Sequence, residues 1–328
     1  MPRVSYVVTI YNKAAYLPYL IEGLANQEGA FEREHIFVND GSTDDSLAVL
    51  RGLAAAWPRV KIIDQPNGGP SLAMNAGLRA ASGDFIKPVD GDDMLVSDAT
   101  HILLRTIDAT DCAVAYGEGG EYRLDEGLTR AREQANRAWP DWDPVVDGNT
   151  LGNSLRRAQT TPSAWLARAD LVRAVGGCDP GVFIQDYSIE LRLARAARFA
   201  RVPRPIYLAP ATAPGRMSEN GAQTLHDLNL ALARFVEAGE DLPWRARRLA
   251  LRRASGRAWH FARREAGRGY FSPDFRRYLS ALLGFSRGPA AIQAACAIFR
   301  ETAPIRLMTA PLEGMRGQEG IQWSASSN

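Results

Sequence analysis

Within the first 95 residues, apolar and β-branched stretches alternate four times with segments whose apolar residues recur at helical spacing, and few architectures accommodate that rhythm. "VSYVVTI" (4–10), "HIFVND" (35–40), "VKIID" (60–64) and "DFIKPV" (84–89) read as strands, the first apolar on both faces as a covered parallel strand would be. Between them "AAYLPYLIEGLANQ", "STDDSLAVLRGLAAAW" and "SLAMNAGLRAA" read as helices. The first presents Leu17, Leu20, Ile21 and Leu24 on one side, and Ser42 or Thr43 would cap the second. Repeated strand–helix–strand units give right-handed crossovers, hence an α/β fold with a mostly parallel sheet and helices on both faces.

In such sheets ligands bind where the carboxyl ends of the strands meet loops and helix N-termini. The polar runs fall there: 9–12, 39–43, 67–71 and 90–93 each follow one strand. The last, "VDGDDML", sets Asp90, Asp92 and Asp93 directly behind an apolar segment, although carboxylates so crowded resist burial without a cation among them. Two readings stand open. Asp92 or Asp93 caps a helix, or the Asp-x-Asp pair holds a divalent ion that keeps places for phosphate oxygens, as Mg²⁺ or Mn²⁺ does.

The 328 residues are 46% hydrophobic and 23% charged, an ordinary globular composition. A net charge of +2 conceals a split: residues 1–243 carry 24 basic against 32 acidic side chains, whereas 244–316 carry 15 Arg against 4 acids. A basic helical segment beside an acidic body suggests a polyanionic or lipid surface as partner; nucleic acid is not expected, because no recognised motif accompanies the charge. Only Lys13, Lys61 and Lys87 are Lys, a bias that weakens any argument from Arg alone. Three cysteines without CxxC spacing fit a reducing cytosol, and no signal peptide or apolar span is legible. The expected division is 1–240 as a catalytic domain, 241–316 as a basic helical region, and 317–328 as a disordered tail. Residues 117–160 read as an irregular or short-helical excursion that would wall an acceptor site. An ordered block follows to about 210.

"VSYVVTIYNKAAYLPYLIEGLANQ", "IFVNDGSTDDS", "NGGPSLAMNAGLRAASGDFIKPVDGDDML" and "GGCDPGVFIQD", in that order, resemble the motifs of family 2 glycosyltransferases of the GT-A fold. The resemblance covers about residues 2–235. It implies a usually inverting enzyme that uses a nucleotide-diphosphate sugar with Mn²⁺ or Mg²⁺. Thr9, Tyr11 and Asp40 would then line the base, with Tyr11 stacking and Asp40 accepting the imide N–H of uracil. The plain alternatives are that Tyr11 packs on the first helix and Asp40 opens an Asp-Gly turn. Asn67, Gly68 and Gly69 would let backbone approach the nucleotide, or form a simple turn. Asp90 would contact the ribose or the metal, and Asp92 would ligate the metal that offsets charge on the departing diphosphate.

By the same match Asp186 in "IQDYSIE" would deprotonate the acceptor hydroxyl, or cap the helix that follows. Gln185 stands where Glu is usual, Asn39 where a carboxylate is commoner, Met74 where Arg is frequent, and Ala213 where the family has a His. His226 offers itself as a third ligand, though a lone helical His more often packs, and Lys87 either reaches the phosphates or snorkels to solvent. The absence of a Gln-x-x-Arg-Trp segment favours addition of single sugars. The expectation is transfer from a UDP-sugar to a glycan or lipid-linked acceptor for polysaccharide or cell-surface glycan, in the cytoplasm or peripherally at the inner membrane face. The rival is a non-catalytic nucleotide-sugar-binding scaffold, motivated by those four departures. Nucleotidyl transfer and hydride transfer lack their Gly-rich loops.

Overall fold

A computed structural model of the chain describes residues 1–139, 142–212, 220–286 and 288–308. Ala213, Arg216 and the tail from 317 lie outside the described residues. In chain order the elements are β1 (Arg3–Ile10), α1 (Leu17–Ala25), β2 (Glu32–Asp40), α2 (Ser46–Ala54), β3 (Val60–Gln65), α3 (Pro70–Ala80), β4 (Phe85–Asp90), β5 (Met94–Leu95), α4 (Ala99–Ala109), β6 (Val114–Tyr122), α5 (Gly127–Ala135), β7 (Val145–Val146) and α6 (Thr150–Arg156). There follow β8 (Trp165–Arg168), α7 (Ala169–Ala174), α8 (Gln185–Ala196), β9 (Phe199–Pro210), α9 (Gly221–Ala238), α10 (Trp244–Glu265), α11 (Pro273–Leu283), α12 (Pro289–Ala294) and α13 (Ala297–Thr302).

These elements group into two compact units whose segments interleave along the chain. Of the described residues, the first takes those within 1–150, 160–178 and 197–214; the second takes those within 151–159, 179–196 and 215–328. The nine strands among the described residues lie in one sheet of the first unit, ordered β3-β2-β1-β4-β8-β6-β9-β5, with β7 on β9. The four strands read first from the sequence are mutually parallel, Val7 lying opposite Ile36 on β2 and Pro88 on β4. Past them β8 runs antiparallel to both β4 and β6. The α1 residues Leu17, Leu20, Ile21 and Leu24 join β1 and β2 in the main core, as their spacing predicts. Each fully buried aliphatic there contributes ~1.5–3 kcal/mol relative to exposure.

Two sequence expectations change. The excursion from 117 does not open as a loop: β6 continues through "GEGGEY" beside β9, its register shifting on either side of Glu118. A Cβ at Gly119 would stand 2.6 Å from the Tyr207 hydroxyl and one at Gly117 2.9 Å from Ile206, so here glycine clears space for a neighbouring strand's side chains. Nor do Ser42 and Thr43 cap α2, which begins at Ser46. The Ser42 hydroxyl accepts the Asn12 N–H, and Asn12 Oδ1 accepts that of Thr43. These residues tie the loop after β1 to the loop after β2.

The second unit is helical. Tyr187 and Leu191 of α8 pack with Ala231, Leu232 and Phe235 of α9 and with Leu251 and Ala254 of α10. The basic C-terminal region is helical as expected, forming α10 to α13. No described helix is long and apolar enough to cross a membrane.

Candidate active site

The acidic turn after β4 is fixed from three sides within the first unit. Gly91 donates its N–H to the Thr9 carbonyl at 3.0 Å, and a Cβ on Gly91 would lie 2.8 Å from that oxygen. The Tyr122 hydroxyl, its ring stacked on Tyr19 at 4.7 Å, donates to the Asp92 carbonyl at 2.8 Å. Ser163 accepts the Asp90 N–H on its hydroxyl at 2.9 Å and bonds the Asp93 carboxyl. A turn anchored this way holds its carboxylates still without help from a ligand.

The three acids differ in setting. Asp93 is buried, and its carboxyl is pushed well up, first by burial and then by the charges of Asp90 and Asp92. Behind it Lys87 is fully buried, donating to the carbonyls of Ser163 at 2.6 Å and Pro88 at 3.1 Å. Lys87 therefore does not snorkel. Burial lowers its ammonium to about 7, opposed by Asp93 and Asp90. Burial drives both members of that pair toward their neutral forms. Asp92 keeps partial exposure, and Lys13 Nζ sits 2.6 Å from its Oδ2.

Thr9 lies opposite Asp90 in the β1–β4 register, and Tyr11, nearly half exposed, follows β1. One strand over, the Asp40 carboxylate organises the third loop. Its Oδ1 accepts from Gln65 Nε2 at 2.8 Å and the Gly68 N–H at 2.9 Å, and its Oδ2 accepts the Gly69 N–H at 2.8 Å. Asn67 Nδ2 donates to the Asp40 carbonyl. The amides of Gly68 and Gly69 thus face Asp40, so those residues offer a ligand close backbone rather than N–H donors. A carboxylate accepts about four hydrogen bonds, which leaves one place on Oδ2. Gly41, at φ 69°, presses so near Asn67 that a Cβ would stand 2.6 Å from its nitrogen.

The departures have local causes. Asn39 is buried opposite Asp64 in the β2–β3 register and donates to it at 2.8 Å, where a carboxylate would meet a carboxylate. Met74 is buried on α3 with Ala73 and Gly77.

In the second unit, Asp186 occupies the first turn of α8, its Oδ1 accepting the Tyr187 N–H at 2.8 Å. Burial raises its carboxyl, and the charge of Asp227 adds to that. Gln185 Oε1 beside it is buried with no hydrogen-bond partner. His226 is buried against Asp227, Nδ1 to Oδ1 at 2.9 Å; Asp227 also accepts from Gln223 and the Ile184 N–H. That imidazole packs rather than presenting itself as a ligand.

Among the described residues no set of three His, Cys, Asp or Glu side chains could enclose a metal. The donor set of Asp90 and Asp92 is all oxygen and partial, which fits a hard divalent cation that shares its shell with phosphate oxygens. Three residues escaped the sequence reading: Lys13, Tyr122 and Ser163. Lys13 carried a signal, as one of three lysines in a chain that otherwise uses Arg.

A parallel β3-β2-β1-β4 half-sheet whose carboxyl edge carries an Asp-x-Asp turn defines a GT-A-type fold. Comparison with known proteins agrees. Residues 5–165 match the model of the family described as Glycosyl transferase family 2. The chondroitin synthase of Pasteurella multocida is 38% identical over 105 residues, covering 32% of this chain and 11% of that protein. The putative glycosyltransferase EpsH of Bacillus subtilis is 39% identical over 114 residues, 34% of this chain and 33% of its own. This chain thus spans a third or less of both relatives. Among solved structures, residues 1–349 of S. aureus TarS in complex with UDP-GlcNAc superpose with a TM-score of 0.59 at 19% identity, covering 87% of this chain and 80% of that one. The mannosyltransferase PcManGT of Pyrobaculum calidifontis, in complex with GDP-Man and Mn²⁺, gives 0.56 at 16% identity, covering 92% and 86%.

Proposed function

We propose that the protein transfers one sugar from a nucleotide-diphosphate sugar, UDP-linked by preference, to a hydroxyl of a glycan or lipid-linked acceptor, with inversion, in polysaccharide or cell-surface glycan synthesis. The observation that carries this reading is the acidic turn, anchored at Gly91, Asp92 and Asp90 and left with a partly exposed carboxylate at the sheet's ligand-binding edge. Thr9, Tyr11, Asp40, Asn67 and Gly68 would form the nucleotide side, with the free place on Asp40 Oδ2 suited to an imide N–H. Asp90 and Asp92 would hold Mn²⁺ or Mg²⁺, whose charge offsets that building on the departing diphosphate. Asp186 takes the proton of the acceptor hydroxyl. Its raised carboxyl suits a base that works near neutral pH, since a carboxylate at its ordinary value binds protons too weakly. A UDP donor also agrees with the TarS likeness, and a polysaccharide product with the chondroitin synthase likeness. A peripheral seat at the inner membrane face fits the basic helices.

The test is a screen of nucleotide sugars for divalent-dependent donor hydrolysis and for thermal stabilisation, repeated with Asp186→Asn. Hydrolysis of one donor that needs metal and is lost in the variant supports the reading. Tight binding with no turnover, unchanged in Asp186→Asn, replaces it with the scaffold.

A further inference from the structure

In the second unit α10 and α11 form an antiparallel pair. Arg248 of α10 donates to the Leu282 carbonyl of α11 at 3.0 Å, and further along Trp259 meets Phe275 at 5.0 Å. Helix α11 is firmly ended: Ser272 Oγ caps it by accepting the Phe275 N–H, Pro273 opens it, and Gly284 at φ 85° closes it. Its inner face carries Asp274 and Ala281. Its outer face carries Arg276, Leu279 and Leu283, three residues at i, i+3 and i+7 that make one exposed stripe.

At the two ends of this stripe the chain places phenylalanine in water. Phe271, just before the helix, is 90% exposed, and Phe285, just after it, is 80% exposed; Leu283 between them is 59% exposed. Arg276 braces the first by donating to the Phe271 carbonyl through two nitrogens, at 2.9 and 3.2 Å. Single exposed apolar residues are normal, but four gathered on one short helix and at its two ends are not. Beside it α10 exposes Arg245, Arg248, Arg252 and Arg263, which also share one helical face. None of the four has a carboxylate partner among the described residues, whereas Arg268 and Arg277 of the same unit pair with Asp274.

We propose that this α10–α11 face is the seat for an anionic lipid surface, with Phe271, Leu279, Leu283 and Phe285 entering the acyl boundary and the arginines meeting the headgroups. Charge decides among occupants. A second copy of the chain would bring the same unpaired arginines against these and be repelled, while a nucleic acid would leave the leucine stripe uncovered. An anionic bilayer satisfies both halves, apolar and basic, at the depth where aromatic rings and arginines sit together. This deepens the proposed function by supplying the surface on which a lipid-linked acceptor is presented. It can fail while donor hydrolysis stands, and the reverse.

The experiment is co-sedimentation of the full chain with vesicles of phosphatidylcholine alone and with phosphatidylglycerol added, at rising NaCl. The expected result is binding only to the anionic vesicles, weakened by salt. Phe271→Ser with Phe285→Ser should lower the affinity roughly tenfold or more, since each ring leaves the apolar layer. Arg245→Glu with Arg252→Glu should lower it by a similar factor. Both pairs are exposed, so unchanged far-UV dichroism and soluble donor hydrolysis are expected alongside. Equal binding to neutral vesicles, no loss with the serine pair, or a sedimenting dimer that the serine pair dissolves would each overturn the proposal.

Discussion

The Lys13 ammonium lies 2.6 Å from Asp92 Oδ2, so the carboxylate proposed as the chief metal ligand already has a cation of the protein's own. The loop that carries Lys13 is held in place by Ser46, whose hydroxyl accepts the Lys13 N–H at 2.7 Å, and by Asp44, which accepts that of Ala14. A point charge on a flexible stem can yield Asp92 to a stronger cation and turn to phosphate oxygens, which a planar guanidinium would do less readily. Lys13→Met is therefore expected to bind Mn²⁺ alone more tightly, by about three- to tenfold, because the ion no longer competes with the ammonium. Electron paramagnetic resonance of free Mn²⁺ measures it directly. Weaker binding in the variant would show that Lys13 arranges Asp92 rather than competing for it.

Asp186 gives a prediction on pH. Burial raises its carboxyl, so the proposed base becomes available only as pH climbs through a value above the ordinary carboxylate range, and the acid limb of kcat should rise there. Asp186→Asn should lower transfer by about 10²–10⁴ and abolish that limb, while UDP affinity by calorimetry stays within about twofold. An unchanged limb in the variant would assign it to another group.

Much of this was legible because periodicity survives in short windows. Four strands, their parallel order and the loops bearing Thr9, Asp40, Asn67 and Asp90 follow from alternation and from polar residues at strand ends. What escaped depends on partners distant in sequence. β6 hides behind "GEGGEY", since its glycines make room for Tyr207 and Ile206 nearly 90 residues later. Ser42 and Thr43 carry cap chemistry, yet a neighbouring loop offers Asn12 and takes them first. Lys87 looked like a snorkelling residue late in a strand. Its burial needs the Ser163 carbonyl to accept from it and Asp93 to lie beside it, and neither neighbour is written in the local sequence.

Gly41 couples the second and third loops, and its replacement should be felt in both stability and binding. At φ 69° an added Cβ is strained, and it would meet the Asn67 nitrogen at 2.6 Å, displacing the segment that Asp40 holds. Gly41→Ala is expected to cost about 1–3 kcal/mol in urea unfolding and to weaken UDP roughly tenfold. Gly52 supplies the control: it lies inside α2 with nothing within 4 Å of a Cβ, so Gly52→Ala should be neutral or stabilise by up to about 1 kcal/mol. Equal effects at the two sites would mean that neither the positive φ nor the approach to Asn67 constrains Gly41.

His35 makes the first unit acid-sensitive in a way independent of the active site. The imidazole stacks near-parallel with Tyr6, at 5.3 Å, and Phe37, at 6.3 Å, with Trp57 tilted against it at 4.7 Å. Both ring nitrogens are buried without a hydrogen-bond partner. Burial, with the Arg33 charge beside it, lowers the imidazole from 6.5 to about 4, against a weaker opposing pull from Glu34. Between those values the unfolded chain binds the proton and the folded one does not. Stability is therefore complete above pH 6.5 and declines as pH falls toward 4. His35→Phe keeps the stack and removes the titration, so the variant should be less destabilised than the parent by about 1–2 kcal/mol between pH 7 and pH 5. Urea midpoints of both proteins at the two pH values give the difference, with carboxylates common to both cancelling out. If the two lose stability in parallel, the imidazole is reaching solvent and the stack is looser than these distances require.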